Sequence, residues 1–279
     1  MPWTKDGHIQ VNHPREPWGG DVPAIFIHGA LNTLKGKKGT SDRDLYIAAK
    51  RDFDMDAAFQ VVERTVSKDA VDSLIARIIA GGCKARIVMP HPDFDDEDDP
   101  GASVGLTNAL PFAFAKYLKD ITGRAIDEEI IQMARVGRTK LNKWQRFLYQ
   151  PSFGGAIRTD EPYIIIDDVV STAGTLAALR SYIVRNGGTV LCATALANGV
   201  GKNQPFPITQ ETSSNLAEAF GDGFAPYWCE TFGHEASCLT ETEGRFLRTW
   251  CDEEKSKGVG VGKPLLQRLR TQFDAIATA

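Results

Sequence analysis

The sequence predicts an α/β fold in which a parallel sheet is flanked by helices, with helical or irregular additions at the N- and C-terminal ends. Short apolar runs typical of buried strands alternate with segments of helical periodicity, and glycine pairs end two of those segments. Strands that alternate with helices are joined by right-handed crossovers, which give a parallel sheet. We therefore predict a single domain over 1–279, with a core at about 80–200, an N-terminal addition at 1–79 and a C-terminal hood or helical addition at 200–279.

The N-terminal addition is predicted to contribute one strand and a long helical stretch. Residues 24–27 form a short apolar run that ends in a His-Gly pair, as the end of a strand would. Residues 54–80 carry apolar side chains at helical spacing, with a break near Lys68. Glycines 81–82 follow at the position of a C-cap. Residues 1–20, rich in Pro, Gly, His and Trp, are expected to form an irregular arm.

The predicted core continues this alternation of strands and helices. In chain order it comprises a buried strand at 85–90, an amphipathic helix at 108–118, a strand at 130–134, a cationic segment at 135–146, a buried strand at 163–166, a helix at 175–185 and a strand at 190–196. The run at 163–166 is the clearest buried strand of the chain, because four bulky apolar residues are consecutive there. These elements are sufficient to build an open sheet with helices packed against it.

The C-terminal addition at 200–279 is predicted to be mostly helical and packed on the sheet. The pattern of strands and helices changes after Gly199, because residues 200–235 are rich in Gly, Pro and polar residues. Thr240 and Glu243 have the spacing of a capping box, which predicts a helix that begins there and continues through Trp250. Pro264 is placed to open a last amphipathic helix.

Charge and composition exclude several classes of protein. The chain carries 32 Lys and Arg against 36 Asp and Glu, a net charge of −4, whereas general binders of nucleic acid or anionic membranes need excess positive charge. It contains no run of about 20 apolar residues that could cross a bilayer, and its N-terminus lacks the pattern of a signal peptide. We expect a soluble cytoplasmic protein with no nucleic-acid or membrane partner.

The segment 164–176 carries the clearest functional signal. A buried strand delivers two adjacent carboxylates, Asp167 and Asp168, at its C-terminal end, and ligands of open α/β sheets bind beyond that end. A tight loop follows and leads into a helix, and its residues are small or hydroxylated: Ser171, Thr172, Ala173, Gly174 and Thr175. Backbone N–H groups, hydroxyls and a helix N-terminus favour phosphate, while carboxylates can bind vicinal hydroxyls. A sugar phosphate satisfies both ends of this segment.

This segment resembles the motif with which type I phosphoribosyltransferases bind phosphoribosyl pyrophosphate (PRPP). The resemblance implies that Asp167 and Asp168 hold the ribose hydroxyls and that residues 171–175 bind the 5′-phosphate. It implies transfer of the 5-phosphoribosyl group to a nitrogenous base or related nucleophile, with release of pyrophosphate, as in nucleotide metabolism. Mg²⁺ is then expected to be held mainly through the substrate, with Asp167 and Asp168 as indirect contacts.

The resemblance is weaker elsewhere and has departures. Ala173 stands where the family often has Gly, and Ser171 stands about where enzymes for 6-oxopurines place an Asp, which lowers the expectation of a hypoxanthine or guanine acceptor. The segment between Pro90 and residues 108–113 is similar to the family's pyrophosphate loop and the helix after it. The cationic segment at 135–146 is similar to its flexible loop.

Cationic side chains of that segment are the predicted contacts of the leaving group. Arg138 and Lys140 are expected to meet the pyrophosphate as catalytic residues when the loop closes, because negative charge develops there in the transition state. The alternative is that both belong to a solvated basic face.

Three other functions remain as alternatives. The first is a non-catalytic PRPP-binding regulator on the same fold. The second is an α/β-hydrolase, since residues 101–105 match the G-x-S-x-G elbow around Ser103 and Asp167 and His234 follow in triad order, but an acidic run precedes Ser103 where a strand is required. The third is a relative of PRPP synthetase, for which no second nucleotide-binding half is visible. The acceptor is undetermined, and a homodimer stays open.

Overall fold

The structure is a computed structural model of the chain, and it describes residues 4–5, 8–9, 14–19, 24–82, 84–91, 107–133 and 141–277. The strands, in chain order, are β1 (Thr4–Lys5), β2 (His8–Ile9), β3 (Ala24–Ala30), β4 (Arg86–Val88), β5 (Ile131–Gln132), β6 (Phe153–Gly154), β7 (Tyr163–Val170), β8 (Val190–Asn198) and β9 (Gln204–Pro205). The helices are α1 (Leu31–Lys35), α2 (Ser41–Arg51), α3 (Met55–Thr65), α4 (Lys68–Ala80), α5 (Leu110–Thr122), α6 (Gln145–Leu148), α7 (Gly174–Arg185), α8 (Gln210–Phe220), α9 (Phe224–Phe232), α10 (Glu241–Ser256) and α11 (Lys263–Ala277).

A five-stranded, mostly parallel sheet lies at the centre of the fold. Its strand order is β4-β7-β8-β3-β9, with parallel pairing from β4 through β3 and an antiparallel edge at β9. The predicted α/β class with a parallel sheet and flanking helices is therefore confirmed. Strand β3, from the predicted N-terminal addition, lies inside this sheet beside β8. The boundaries drawn between core and additions stay a prediction.

Both faces of the sheet are covered, which explains why the strands read as continuous apolar runs. Along β7, Ile164 and Ile166 pack into the cluster formed with α3, α4 and α5, whereas Tyr163 and Ile165 pack into the opposite cluster with α7. All four side chains are fully buried. Because side chains alternate across a strand, each face gains two large groups from this segment, at about 1.5–3 kcal/mol apiece for the aliphatic ones.

A third apolar cluster is formed by α6 and the helices α8 to α11. Trp228 and Phe273 are fully buried in it, and Phe147 of α6 packs edge-on against both rings. Residues 14–19 of the N-terminal arm are anchored through Arg180 of α7, whose guanidinium donates to three arm carbonyls and lies 4.8 Å from the Trp18 ring centroid. Because α6 precedes β7 and packs in the third cluster, that cluster joins the C-terminal helices to the segment before β7.

Several helical predictions are confirmed. The break near Lys68 separates α3 from α4, and the capping box of Thr240 and Glu243 opens α10. Residues 200–279 are mostly helical, as predicted, and α8 and α9 lie in the part of that region whose Gly, Pro and polar residues gave no individual helix. The Thr209 side chain caps α8, and helical spacing in both helices buries apolar side chains in the third cluster.

Two local features differ from the expected secondary structure. The strand predicted at 130–134 exists only as β5, which pairs antiparallel with β6 in a separate two-stranded sheet. Helix α2 was not predicted, and no side chain caps its N-terminus at Thr40. No helix within the described ranges combines the length and apolarity needed to traverse a membrane.

Candidate functional site

A cavity of about 530 Å³ opens at the carboxyl end of β7, where ligands of open α/β sheets bind. It is lined by all seven residues predicted to contact PRPP, namely Asp167, Asp168, Ser171, Thr172, Ala173, Gly174 and Thr175. Pro90 and Asn108, which flank the predicted pyrophosphate loop, line the same cavity. The structure therefore brings the predicted ligand residues together, while their roles stay predictions.

The loop between β7 and α7 makes a sharp turn at Ala173. Ala173 is the N-cap of α7 and has φ 59° and ψ 8°, in the left-handed region that few residues other than glycine adopt. The Cβ of Ala173 makes this conformation cost about 1–2 kcal/mol relative to Gly, while the small side chain still lets the loop backbone approach a ligand closely. The N-terminus of α7, a helix of 12 residues, is thereby presented at a cavity lined by Gly174 and Thr175.

Hydrogen bonds from two other parts of the chain fix this loop. The Thr240 hydroxyl, fully buried at the start of α10, donates to the Thr172 carbonyl oxygen at 2.6 Å. The same hydroxyl accepts the Glu243 backbone N–H at 3.1 Å, as the capping box requires. The Arg146 guanidinium donates to the Ser171 hydroxyl. The C-terminal helices therefore position the loop that is expected to hold phosphate.

The acid pair has an unequal environment. Asp168 is 5% exposed, and its Oδ2 accepts from the Lys50 ammonium and from Asn108 Nδ2, the latter at 3.3 Å. Asp167 is partly exposed, and its Oδ1 accepts the Asp168 backbone N–H at 2.8 Å. One carboxylate is thus neutralised by a lysine, whereas the other faces the cavity beside it.

These environments separate the pKa values of the two carboxyl groups. Burial, together with the negative charge of Asp168, raises the pKa of Asp167 above its ordinary value. Burial also disfavours ionised Asp168, but the Lys50 charge and hydrogen bond overcome it and hold the pKa of Asp168 below its ordinary value. The opposite directions of these shifts mean that Asp167 takes up a proton before Asp168 does. A protonated Asp167 can donate to a ligand hydroxyl while Asp168 accepts from another.

We expect Asp167→Asn to stabilise the fold more at alkaline than at acidic pH. Between 3.8 and about 8 the unfolded chain is ionised at Asp167 while the folded chain keeps the proton, so the stability of the wild type falls as pH rises through that window. Asn cannot titrate and keeps the acceptor for the Asp168 amide. Thermal melts at about pH 5 and about pH 8 should show the variant's advantage growing by several degrees. The control is Asp120→Asn on the exposed face of α5. A difference that is constant with pH would contradict the assignment.

Comparison with known proteins finds relatives that match this chain over only part of their own length. No family model matches the chain. It is 31% identical over 234 residues to Protein TraN of Escherichia coli, covering 84% of this chain and 48% of that protein. It is 30% identical over 171 residues to an uncharacterized protein of Haemophilus influenzae, covering 61% of this chain and 34% of that one. The chain therefore spans about half the length of the first relative and about a third of the second.

One solved structure, a hypoxanthine phosphoribosyl transferase of Trypanosoma cruzi, is a distant neighbour. It matches with a TM-score of 0.29 and 13% sequence identity, over 54% of this chain and 76% of that one. A score this low does not establish a shared fold. The case for a phosphoribosyl-binding site consequently depends on the geometry of the cavity.

Three residues of the cavity wall were missed by the sequence analysis. Lys50 and Tyr46 lie one turn apart on α2, and Lys35 ends α1; all three line the cavity. The i, i+4 spacing of Tyr46 and Lys50 is the signal that could have placed them on one face of a helix. It went unused because α2 itself was not recognised.

The other predicted residues have different outcomes. Arg138 and Lys140 lie outside the described residues, so their approach to pyrophosphate stays a prediction, but Arg146 from the same cationic segment lines the cavity. Ser103 also lies outside them. His234 Nδ1–H donates to the Glu235 carbonyl at 2.9 Å, and its ring packs near Trp228 in the C-terminal cluster. The hydrolase alternative gains no support from these contacts.

The described side chains do not form a metal site on their own. Within the part of the chain that the structure describes, no group of three or more His, Cys, Asp or Glu side chains could hold a metal ion. Asp168 is committed to Lys50 and Asn108. Asp167 is the carboxyl group available to a hydrated cation that enters with a ligand.

Proposed function

We propose that the chain binds PRPP and transfers its 5-phosphoribosyl group to a nitrogenous base or related nitrogen nucleophile, with release of pyrophosphate. The observation that carries the proposal is the placement of the acid pair, Asp167 and Asp168, and the loop 171–175 on one cavity at the carboxyl end of β7. The type I phosphoribosyltransferase fold belongs to this proposal. Because the name of the relative TraN states no activity, the support for this proposal is the geometry of the cavity.

Each end of the ribose phosphate has a matching group in the cavity. The N-terminus of α7 and the Ser171, Thr172 and Thr175 hydroxyls offer donors to the 5′-phosphate, which is favoured at a helix N-terminus. Asp168 as carboxylate accepts from one ribose hydroxyl, and protonated Asp167 can donate to the other. Because each hydroxyl can both donate and accept, the acid pair can bind the diol whether Asp167 accepts as a carboxylate or donates as an acid.

The chemical step makes few demands on protein acids or bases. The bond from C1 to the pyrophosphate oxygen breaks with its electron pair leaving on pyrophosphate, and the lone pair of the acceptor nitrogen forms the new bond to C1. Cations stabilise the charge that develops on the leaving group. Arg146 lines the cavity, and Arg138 and Lys140 stay the predicted further contacts. Mg²⁺ bound to the pyrophosphate would supply additional neutralisation, with Asp167 as an indirect contact through water.

The test is a panel assay for pyrophosphate release. The full chain is incubated with PRPP, Mg²⁺ and a set of purine, pyrimidine and pyridine bases, and pyrophosphate is measured over time. We expect release that depends on one class of base and is lost in Asp167→Asn with Asp168→Asn. Failure to bind PRPP in a parallel calorimetric titration would refute the proposal.

A PRPP-binding regulator without turnover is the second candidate. Its basis is the segment between Pro90 and residues 108–113, which is similar to the family's pyrophosphate loop in position but does not match it residue by residue. The same assay separates the two functions: PRPP binding without pyrophosphate release with any base would favour the regulator.

A further inference from the structure

Side chains from α1, α2 and α6 form a cationic wall of the cavity. Three cationic side chains line the cavity, Lys35, Lys50 and Arg146, against two carboxyl groups. The cationic groups therefore exceed the carboxylates even when both Asp167 and Asp168 are ionised. A cavity with this balance attracts a ligand with more than one anionic group.

Lys50 occupies a particular place in this wall. Its ammonium contacts Asp168 Oδ2, and its side chain is 22% exposed where it borders the cavity. An ammonium has three N–H donors, and the contact with Asp168 uses one of them. The pairing holds the lysine in place, and burial opposes but does not outweigh the charge and the hydrogen bond of Asp168, so the pKa of Lys50 is raised and the group stays cationic.

The chemistry of ribose links this lysine to a second anionic group. If Asp168 holds the 2′-hydroxyl of the ribose in the proposed function, it binds at the carbon that is bonded directly to C1. A cation fixed on that carboxylate is therefore close to whatever substituent C1 carries. The 5′-phosphate, in contrast, lies at the other end of the sugar, over the loop 171–175.

We infer that Lys50 is a specificity-determining residue, which Asp168 anchors so that its remaining donors bind the anionic group on C1 and select a ribose that carries a diphosphate over one that does not. The inference rests on the proposed function and adds a residue of the N-terminal region to it. Tyr46, one turn earlier on α2, lines the same wall. Its side chain is buried, with 8% exposure.

The test compares two ligands that differ only at C1. Ribose 5-phosphate and PRPP are titrated calorimetrically, with Mg²⁺, into the wild type and into Lys50→Gln. We expect the variant to lose about tenfold to 100-fold in affinity for PRPP and to change by less than about threefold for ribose 5-phosphate. Lys50→Arg, which keeps the charge, should restore most of the preference. Lys116→Gln, an exposed lysine of α5 paired with Asp120, is the matched control.

The possible outcomes distinguish a failure of the inference about Lys50 from a failure of the proposed function. Equal losses for both ligands in Lys50→Gln would mean that the lysine acts only through Asp168, and this would overturn the inference while the proposed function stands. A wild type that binds neither ligand would remove the proposed function itself. Lysine acetylation followed by mass spectrometry on the wild type avoids any folding defect of the variant: PRPP, but not ribose 5-phosphate, should protect Lys50, and neither should protect Lys116. Equal protection by both ligands would count against the inference.

Discussion

Asp167→Asn combined with Asp168→Asn is expected to abolish PRPP binding, with a loss of affinity of about 100-fold or more. Each hydrogen bond to a charged group contributes about 1.5–3 kcal/mol, and two such bonds to the ribose diol are weakened together. The amide side chains keep the size of the originals, and the amide oxygen introduced at position 167 can still accept the backbone N–H that Asp167 accepts at 2.8 Å. Asp168→Asn also removes the counter-charge of Lys50, so some loss of stability is expected beside the larger loss of binding.

The measurement is a calorimetric titration with PRPP, accompanied by a thermal melt. Asp120→Asn on the exposed face of α5 is the matched control, because it makes the same chemical change away from the cavity. Affinity retained within about threefold in the double variant would show that the diol is held elsewhere. A melting temperature lowered far below that of the wild type would instead assign the carboxyl pair a structural role.

The acid pair and its loop could be recognised from the sequence because their signal is local. Strand, carboxylates, small loop and helix follow one another within residues 164–176, so the order of the residues already fixes which groups face one ligand. The sheet was predictable for the same reason, since each buried strand is a continuous apolar run. Only the turn at Ala173, with its positive φ, required the structure.

Lys50 could not be predicted because its contact joins distant parts of the chain. It lies 118 residues before Asp168, on a helix whose N-terminal N–H groups are not capped by the Thr40 side chain, which donates to the Lys37 carbonyl instead. A surface lysine and a cavity lysine look alike in a sequence, because only the contact with the distant Asp168 distinguishes them. Helices α8 and α9 were hidden differently, since glycines around residue 222 suggested a loop although Phe220 and Phe224 on either side stack at 4.7 Å.

The buried ion pair between the N-terminal arm and α10 was equally invisible in the sequence. Arg15 and Glu243 are separated by 228 residues, and they form two hydrogen bonds, at 2.5 and 2.8 Å, with exposures of 5% and 2%. Arg15 also donates to Gln150 at 3.1 Å. The arm, the segment before β7 and the C-terminal helices meet at this guanidinium.

We expect Glu243→Gln to destabilise the fold by about 3–5 kcal/mol, because it leaves the Arg15 charge buried without its counter-charge. Urea unfolding measures the change, and Glu253→Gln, an exposed position of the same helix, is the control. Arg15→Met combined with Glu243→Gln should lower the free energy of unfolding by less than the sum of the two single changes. The reason is that Glu243→Gln removes the carboxylate charge that Arg15→Met alone leaves unpaired. Additive losses would contradict the coupling.

Glu243→Gln should also change the position of the loop 171–175. Glu243 accepts the Thr240 backbone N–H at 3.0 Å, and the Thr240 hydroxyl donates to the Thr172 carbonyl, so the ion pair holds the cap that holds the loop. Burial disfavours the charged form of Glu243, but Arg15 holds the pKa of this carboxyl below its ordinary 4.5. The stability that the pair contributes is therefore present above that pH and lost as pH falls below it. Glu243→Gln should remove this acid-side loss, and it should weaken PRPP binding at neutral pH although its side chain is not among those that line the cavity.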